Sequence, residues 1–198
     1  MPRLILASAS QARAAMLRNT GIAIDICPAH VDEDAIKRDL LGSGISPDKI
    51  AAVLAREKAI SVCRDNSDAI VIGADQVLLH EGNLFDKPRS MKEAQQHLKT
   101  LRGDRHRLVS AVSVVQANVE IWSTSQRTDL TMRAFSDKFL DAYLAEFGEK
   151  ALTSVGAYHL EGLGAQLFSK VEGDYFTVLG LPLLPLLEFL RTRGILTL

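Results

Sequence analysis

"RLILASASQARAAMLRNTG", residues 3–21, sets the apolar run Leu4-Ile5-Leu6 directly against small hydroxyl residues and then against a segment that stops at Gly21. The apolar run reads as a buried strand, and the segment from about Gln11 to Asn19 as a helix beginning at Ser10. A strand feeding straight into a helix is the opening of an α/β chain.

Elements continue to alternate outward from that junction. "IAIDIC", residues 22–27, predicts a further strand, followed by the acidic loop "VDEDA". Ser46 and Pro47 announce a second helix running to about Cys63, with Ile50, Val53, Leu54 and Ile60 as its apolar face. "AIVIGADQVLLHEGNLFDKP" predicts a buried strand ending at Gly73, a second extended piece through His80 and a turn at "EGN". Ser90 and Glu93 form a capping box before Ala94, Leu98 and Leu101, and Gly103 supplies the stop. The alternating stretch 107–135 predicts a hairpin turning near Asn118. Ser136 begins a helix through Phe147 that Gly148 ends, and a glycine-rich loop precedes a last helix around "LLPLLEFLRTRG".

The 198 residues suffice for one sizeable core or two small lobes sharing a cleft, so a single bilobal domain over 1–198 is expected. A composition of 47% hydrophobic and 24% charged residues is that of a soluble globular protein. The formal net charge of -1 supplies no global field for nucleic acid or an anionic membrane, so an anionic ligand must be held by a local cluster. Cys27 and Cys63 lie far apart without metal-ligand spacing, and the five histidines are scattered. With neither a signal-peptide pattern nor a long apolar span, the expected location is the cytoplasm, with no membrane or nucleic-acid partner.

Several segments can carry chemistry, each with a plainer reading beside it. Ser8, Ser10 and Arg13 at the start of the first helix suit a phosphate, or Ser10 merely caps the helix while Arg13 meets solvent. Asp75 follows an apolar strand, where a carboxylate can bind a divalent cation or take a proton from water, or simply form a turn. Asp32, Glu33 and Asp34 can join a cation site or favour a helix start. Lys58 and Lys87 are ordinary solvated lysines when viewed alone, Lys87 being held extended by Pro88. The glycines around Glu161 suit either a close approach to ligand or tight turns.

The motifs "SAS" with Arg13, "VDE", "LAREKA", "GADQV", "KP", "LRGDRH" and "VGAYHLEGLGAQLFSKVEGDYFTVLGLPL" follow one another in a set order. In that order the chain resembles the Maf family of nucleoside triphosphate pyrophosphatases over nearly its whole length. The resemblance implies a mixed twisted sheet with flanking helices, like the inosine triphosphatase group, with two lobes around a nucleotide cleft and homodimerisation. It implies hydrolysis of the α–β phosphoanhydride of a non-standard or modified nucleotide, giving a monophosphate and pyrophosphate with Mg²⁺ or Mn²⁺. Asp75 matches the proton acceptor, Glu33 and Asp75 the metal positions, and Ser8, Ser10, Arg13, Lys58 and Lys87 the phosphate contacts. Ala12, Gln76 and Glu161 fall on positions of base choice.

"SASQARA" departs from the family pattern, with Gln11 in place of a proline and Ala12 where other members carry an arginine or tryptophan. Gln76 and Glu161 are similar to the branch acting on 7-methyl-GTP. A non-catalytic nucleotide-binding regulator of cell division is the alternative within the same family.

Overall fold

The computed structural model describes residues 3–196. Among these residues seven strands, β1 (Leu4–Leu6), β2 (Asp25–Ile26), β3 (Ile70–His80), β4 (Asn83–Phe85), β5 (Arg105–Gln116), β6 (Val119–Met132) and β7 (Phe168–Glu172), form one sheet. Its order is β2-β1-β3-β5-β6-β7, and β4 pairs with β3 off this path. β1 runs parallel to both β2 and β3, whereas β4 on β3 and β7 on β6 are antiparallel, so the sheet is mixed as expected. Among the described residues seven α-helices accompany it: α1 (Gln11–Asn19), α2 (Glu33–Gly42), α3 (Ile50–Cys63), α4 (Met91–Leu101), α5 (Asp137–Phe147), α6 (Tyr175–Val178) and α7 (Leu183–Thr192).

The chain divides into two compact units. One comprises the segment up to Gln76, Val109–Gln126 and the segment from Asp174 onward; the other comprises Val77–Leu108 and Arg127–Gly173.

The pleat organises the first unit. Leu4, Leu6, Ile70, Ile72, Ala74, Val112 and Val114 turn one way and pack with α1 and α7 through Leu17, Leu183, Leu186 and Leu190. Ile5, Ala7, Val71 and Val115 turn the other way onto Ala59, Val62 and Cys63 of α3. Because both faces are covered, these strands read as continuous apolar runs rather than as alternation. α3 lies very close to β3. A Cβ on Gly73 would stand 2.0 Å from the Ala55 carbonyl oxygen, so only glycine admits this approach.

In the second unit α4 packs against α5, and Leu98, Leu101, Leu130, Met132 and Leu140 are fully or almost fully buried. The capping box appears as expected at one end: Ser90 Oγ accepts from the Glu93 amide at 3.2 Å, while Glu93 Oε2 accepts from the Arg89 amide rather than that of Ser90. α5 begins at Ser136, whose hydroxyl accepts from the Phe139 amide.

Several expectations are corrected. The strand expected over 22–27 shrinks to Asp25–Ile26, since its only partner among the described residues, β1, is itself three residues long. The acidic stretch is no loop: Asp32 caps α2 through the Ala35 amide, and Glu33 and Asp34 occupy its first turn. The helix announced at Ser46 opens as a 3₁₀ turn, Pro47–Lys49, before α3. Val53 and Ile60 are only partly buried, because α3 turns its smaller side chains, Ala51, Ala55 and Ala59, toward the sheet. The two extended pieces after residue 69 are one strand, β3, and the glycine-rich segment contains an unforeseen strand, β7. The expected hairpin turn does occur, with Ala117 and Asn118 both at positive φ.

Candidate active site

In the first unit, α3 and β3 bring buried charges together. The close approach at Gly73 places Lys58, one turn beyond Ala55, over Asp75, two residues along the same strand face. Lys58 Nζ donates to Asp75 Oδ1 at 2.6 Å and pairs with Glu33 Oε1 at 2.8 Å. Glu33 comes from the first turn of α2, so three elements converge on one ammonium. The Lys58 and Asp75 side chains are only 11% and 8% exposed. Burial raises the Asp75 carboxyl above the ordinary carboxylate range, while the Lys58 and Arg13 cations pull it back. The two lysine readings therefore part: Lys58 is not a solvated lysine, because two carboxylates compensate its desolvation.

Arg13 is likewise buried. Its Nε donates to the Gly180 carbonyl at 2.8 Å, and its Nη1 to the Ala74 carbonyl at 2.8 Å and to Ser8 Oγ at 3.3 Å. The plain reading of a solvent-facing arginine is excluded, and the guanidinium is locked to the strand that carries Asp75. Burial lowers its pKa below the ordinary arginine value, and Asp75 and Glu33 oppose that shift. Ser10 acts as the cap of α1, accepting from the Arg13 amide at 3.4 Å, and Ser8 Oγ accepts from the Ser10 amide at 3.2 Å. Ala12 sits half-buried on the first turn of α1.

Gln76 leaves β3 on the face opposite to Asp75. Its Nε2 donates to Ser110 Oγ at 2.8 Å, the Thr177 carbonyl at 3.1 Å and the Val178 carbonyl at 3.0 Å. Ser110, Thr177 and Asp174 carry no sequence signal of their own: Asp174 caps α6 by accepting from the Thr177 amide at 2.7 Å. Lys87 and Glu161 belong to the second unit, both exposed, and Lys87 is engaged with other groups.

Glu33 and Asp75 offer hard oxygen donors, which fit a Mg²⁺ or Mn²⁺ ion held by one or two carboxylates together with substrate phosphates. Among the described residues no group of three or more His, Cys, Asp or Glu forms a metal cage built from protein alone. No helix among them is long and apolar enough to cross a membrane.

An α/β unit that buries two cations and a carboxylate beside a helix N-terminus is an arrangement that can meet an anionic ligand. The chain belongs to the family described as Maf-like protein, whose profile matches residues 3–193. It is 50% identical over 193 residues to a 7-methyl-GTP pyrophosphatase of Rhizobium meliloti (strain 1021), covering 98% of this chain and 97% of that protein. It is 49% identical over 190 residues to a nucleoside triphosphate pyrophosphatase of Paramagnetospirillum magneticum, covering 96% and 98%. A HAM1 protein from Coxiella burnetii overlaps 67% of this chain and 73% of its own at 12% identity and a TM-score of 0.43.

Proposed function

We propose that this protein is a nucleoside triphosphate pyrophosphatase that hydrolyses the α–β phosphoanhydride, with 7-methyl-GTP or a related purine triphosphate as substrate. The observation that carries the reading is the buried Lys58–Asp75 pair beside the anchored Arg13, in a chain whose full-length relatives bear pyrophosphatase names.

Asp75 orients a water and takes its proton as the water oxygen bonds to phosphorus. The bridging P–O bond breaks, and its electron pair leaves with pyrophosphate. A carboxyl raised above its usual range is better matched to that proton transfer than an exposed one. Lys58 and Arg13 offset the charge that develops on the phosphate oxygens. Ser8 holds Arg13 Nη1, and Ser10 fixes the helix start whose amides face an anion. A divalent ion held by Glu33 and Asp75 would supply further charge neutralisation when bound. The contacts of Lys87 with phosphate and of Glu161 with base rest on the family resemblance alone, as do the homodimer and a cytoplasmic location.

A panel of nucleoside triphosphates incubated with Mg²⁺ or Mn²⁺, with monophosphate and pyrophosphate measured separately, tests the reading. Turnover with 7-methyl-GTP or another purine triphosphate ahead of dTTP and UTP is expected, and Glu161→Gln is expected to narrow that preference. Nucleotide binding without turnover on any member would replace the enzyme by a nucleotide-sensing regulator.

A further inference from the structure

We propose that Ser110, together with the Thr177 and Val178 carbonyls, locks the Gln76 amide in one orientation, so that Gln76 meets a nucleobase only as a hydrogen-bond acceptor and selects bases that turn an N–H toward it. The inference rests on the nucleotide reading above and names the chemistry of the base that this reading leaves open.

The orientation follows from what each partner can do. Backbone carbonyls only accept, so the side of the amide facing Thr177 and Val178 must be the NH₂ group. A serine hydroxyl can accept from the NH₂ end or donate to the oxygen end, but the single hydroxyl hydrogen of Ser110 is already donated to the Thr177 carbonyl at 2.7 Å. Its lone pairs alone remain for Gln76, at 2.8 Å. A flipped amide would set its oxygen against three acceptors in a half-buried site, which is why the network itself assigns the two ends.

The platform is rigid behind this contact. Thr177 is held by Asp174 Oδ2 through its amide at 2.7 Å, and its hydroxyl lies 2.7 Å from Gln126 Oε1. Three residues further on, the Gly180 carbonyl accepts from Arg13 Nε. The same turn, 177–180, therefore positions both Gln76 and the guanidinium assigned to phosphate. With both amide hydrogens consumed on three acceptors, Oε1 is the only end left to address a ligand. A guanine-type base offers N1–H and the 2-amino group as donors, whereas a bare carbonyl edge would face oxygen against oxygen. Ser110 acts here as a positioning residue, since it reaches the ligand only through Gln76.

The test compares GTP, ITP, which lacks the 2-amino donor, and 1-methyl-GTP, which lacks N1–H. Affinity is measured by calorimetry without metal and kcat and KM are measured with it. Wild-type protein is expected to lose about tenfold in affinity when the donor facing Gln76 is removed. Gln76→Leu should bring all three nucleotides within about twofold of each other. Ser110→Ala should reduce the discrimination to about threefold, through KM rather than kcat, and Ser110→Thr should restore it. In the Gln76→Leu background Ser110→Ala should alter the ratio no further. If Ser110→Ala does not fold, Ser110→Cys fills the site with a side chain of the same connectivity that is a weak donor and acceptor, and is expected to lower the ratio in the same way. The inference is overturned if Gln76→Leu keeps the wild-type ratio, or if the Ser110 variants slow all three nucleotides alike through kcat. Wild-type turnover with no discrimination among the three defeats this inference alone, whereas no nucleotide binding at all defeats the pyrophosphatase reading with it.

Discussion

Lys58 and Arg105 each sit between two carboxylates, and their surroundings make them different devices. Lys58 lies 2.6 Å from Asp75 and 2.8 Å from Glu33, with its side chain 11% exposed. Arg105, in the second unit, lies 2.8 Å from Asp129 and 3.7 Å from Glu172, with its side chain 56% exposed. Around Arg105 the network continues through Arg107, which donates to both oxygens of Asp129, and Lys170, which pairs with Glu172. The hydrogen bond from Arg107 is the main reason the Asp129 carboxyl is held below the ordinary range.

Water solvates every member of the exposed network when a partner leaves, so each pair contributes little net stability. Water cannot do so for Asp75, where the loss of the Lys58 charge leaves a buried carboxylate without its hydrogen-bonded cation. The same residue types thus stabilise a surface in one region and hold reactive charge in place in the other. Burial, not the number of ion pairs, separates the two.

Asp75→Asn breaks this contrast most directly. It keeps the volume of the side chain but removes the proton acceptor, so kcat is expected to fall by about 10² or more. Lys58 retains Glu33, and the variant should keep the wild-type circular dichroism. Turnover near the wild-type level would remove Asp75 from the role of base.

Gly73→Ala tests what makes the buried pair possible. The added methyl carbon meets the Ala55 carbonyl at 2.0 Å and the Ala59 Cβ at 2.9 Å, and must push α3 off β3. Urea unfolding should show a loss of about 3 kcal/mol, with Lys58 and Asp75 displaced together. An unfolding curve superimposable on wild type would mean that α3 does not lie this close.

The second unit has its own buried titratable group, which sharpens the comparison from the other side. His106 is 2% exposed, its Nε2 lies 2.8 Å from the Tyr158 hydroxyl, and burial lowers its pKa from 6.5 to about 4. The unfolded chain therefore binds the proton more readily than the native one between these values. His106 contributes its full stabilisation above about pH 6.5 and loses it as pH falls toward 4, about 3 kcal/mol in all. Replacing it by Gln should flatten the stability profile across that window while leaving the plateau above pH 7 level. A profile unchanged by His106→Gln would assign the acid sensitivity elsewhere.

Arg105→Ala should have the smallest effect, within about 0.5 kcal/mol in urea unfolding and further reduced at high salt. A loss several times larger would show that the exposed network is as strongly coupled as the buried one.

Local rules sufficed for much of this architecture. Ser10, Ser90 and Ser136 were legible as helix starts because a cap acts on the backbone two or three residues away. The turn at Asn118 and the stops at Gly103 and Gly148 were legible for the same reason, since a positive φ is a property of one position. The ordered motifs from "SAS" to "GLPL" carry family membership and single out Arg13, Lys58 and Asp75 without any knowledge of the contacts between them.

Tertiary structure decided what those residues are to one another. "LAREKA" contains a lysine that composition assigns to solvent, and only the approach of α3 at Gly73 buries it on Asp75. The strand β7 is not legible in the sequence because its pairing with β6, rather than its own residues, defines it: Val171 meets Leu130, and most of its residues are exposed. The Gln76 clamp was invisible for a related reason, as its acceptors lie 34, 101 and 102 positions away along the chain. Propensity, capping and turn chemistry act over a few residues and so are written in the order of the sequence. Desolvation and hydrogen-bond orientation depend on which distant atoms share a volume, and that is settled only when the sheet and its helices close around them.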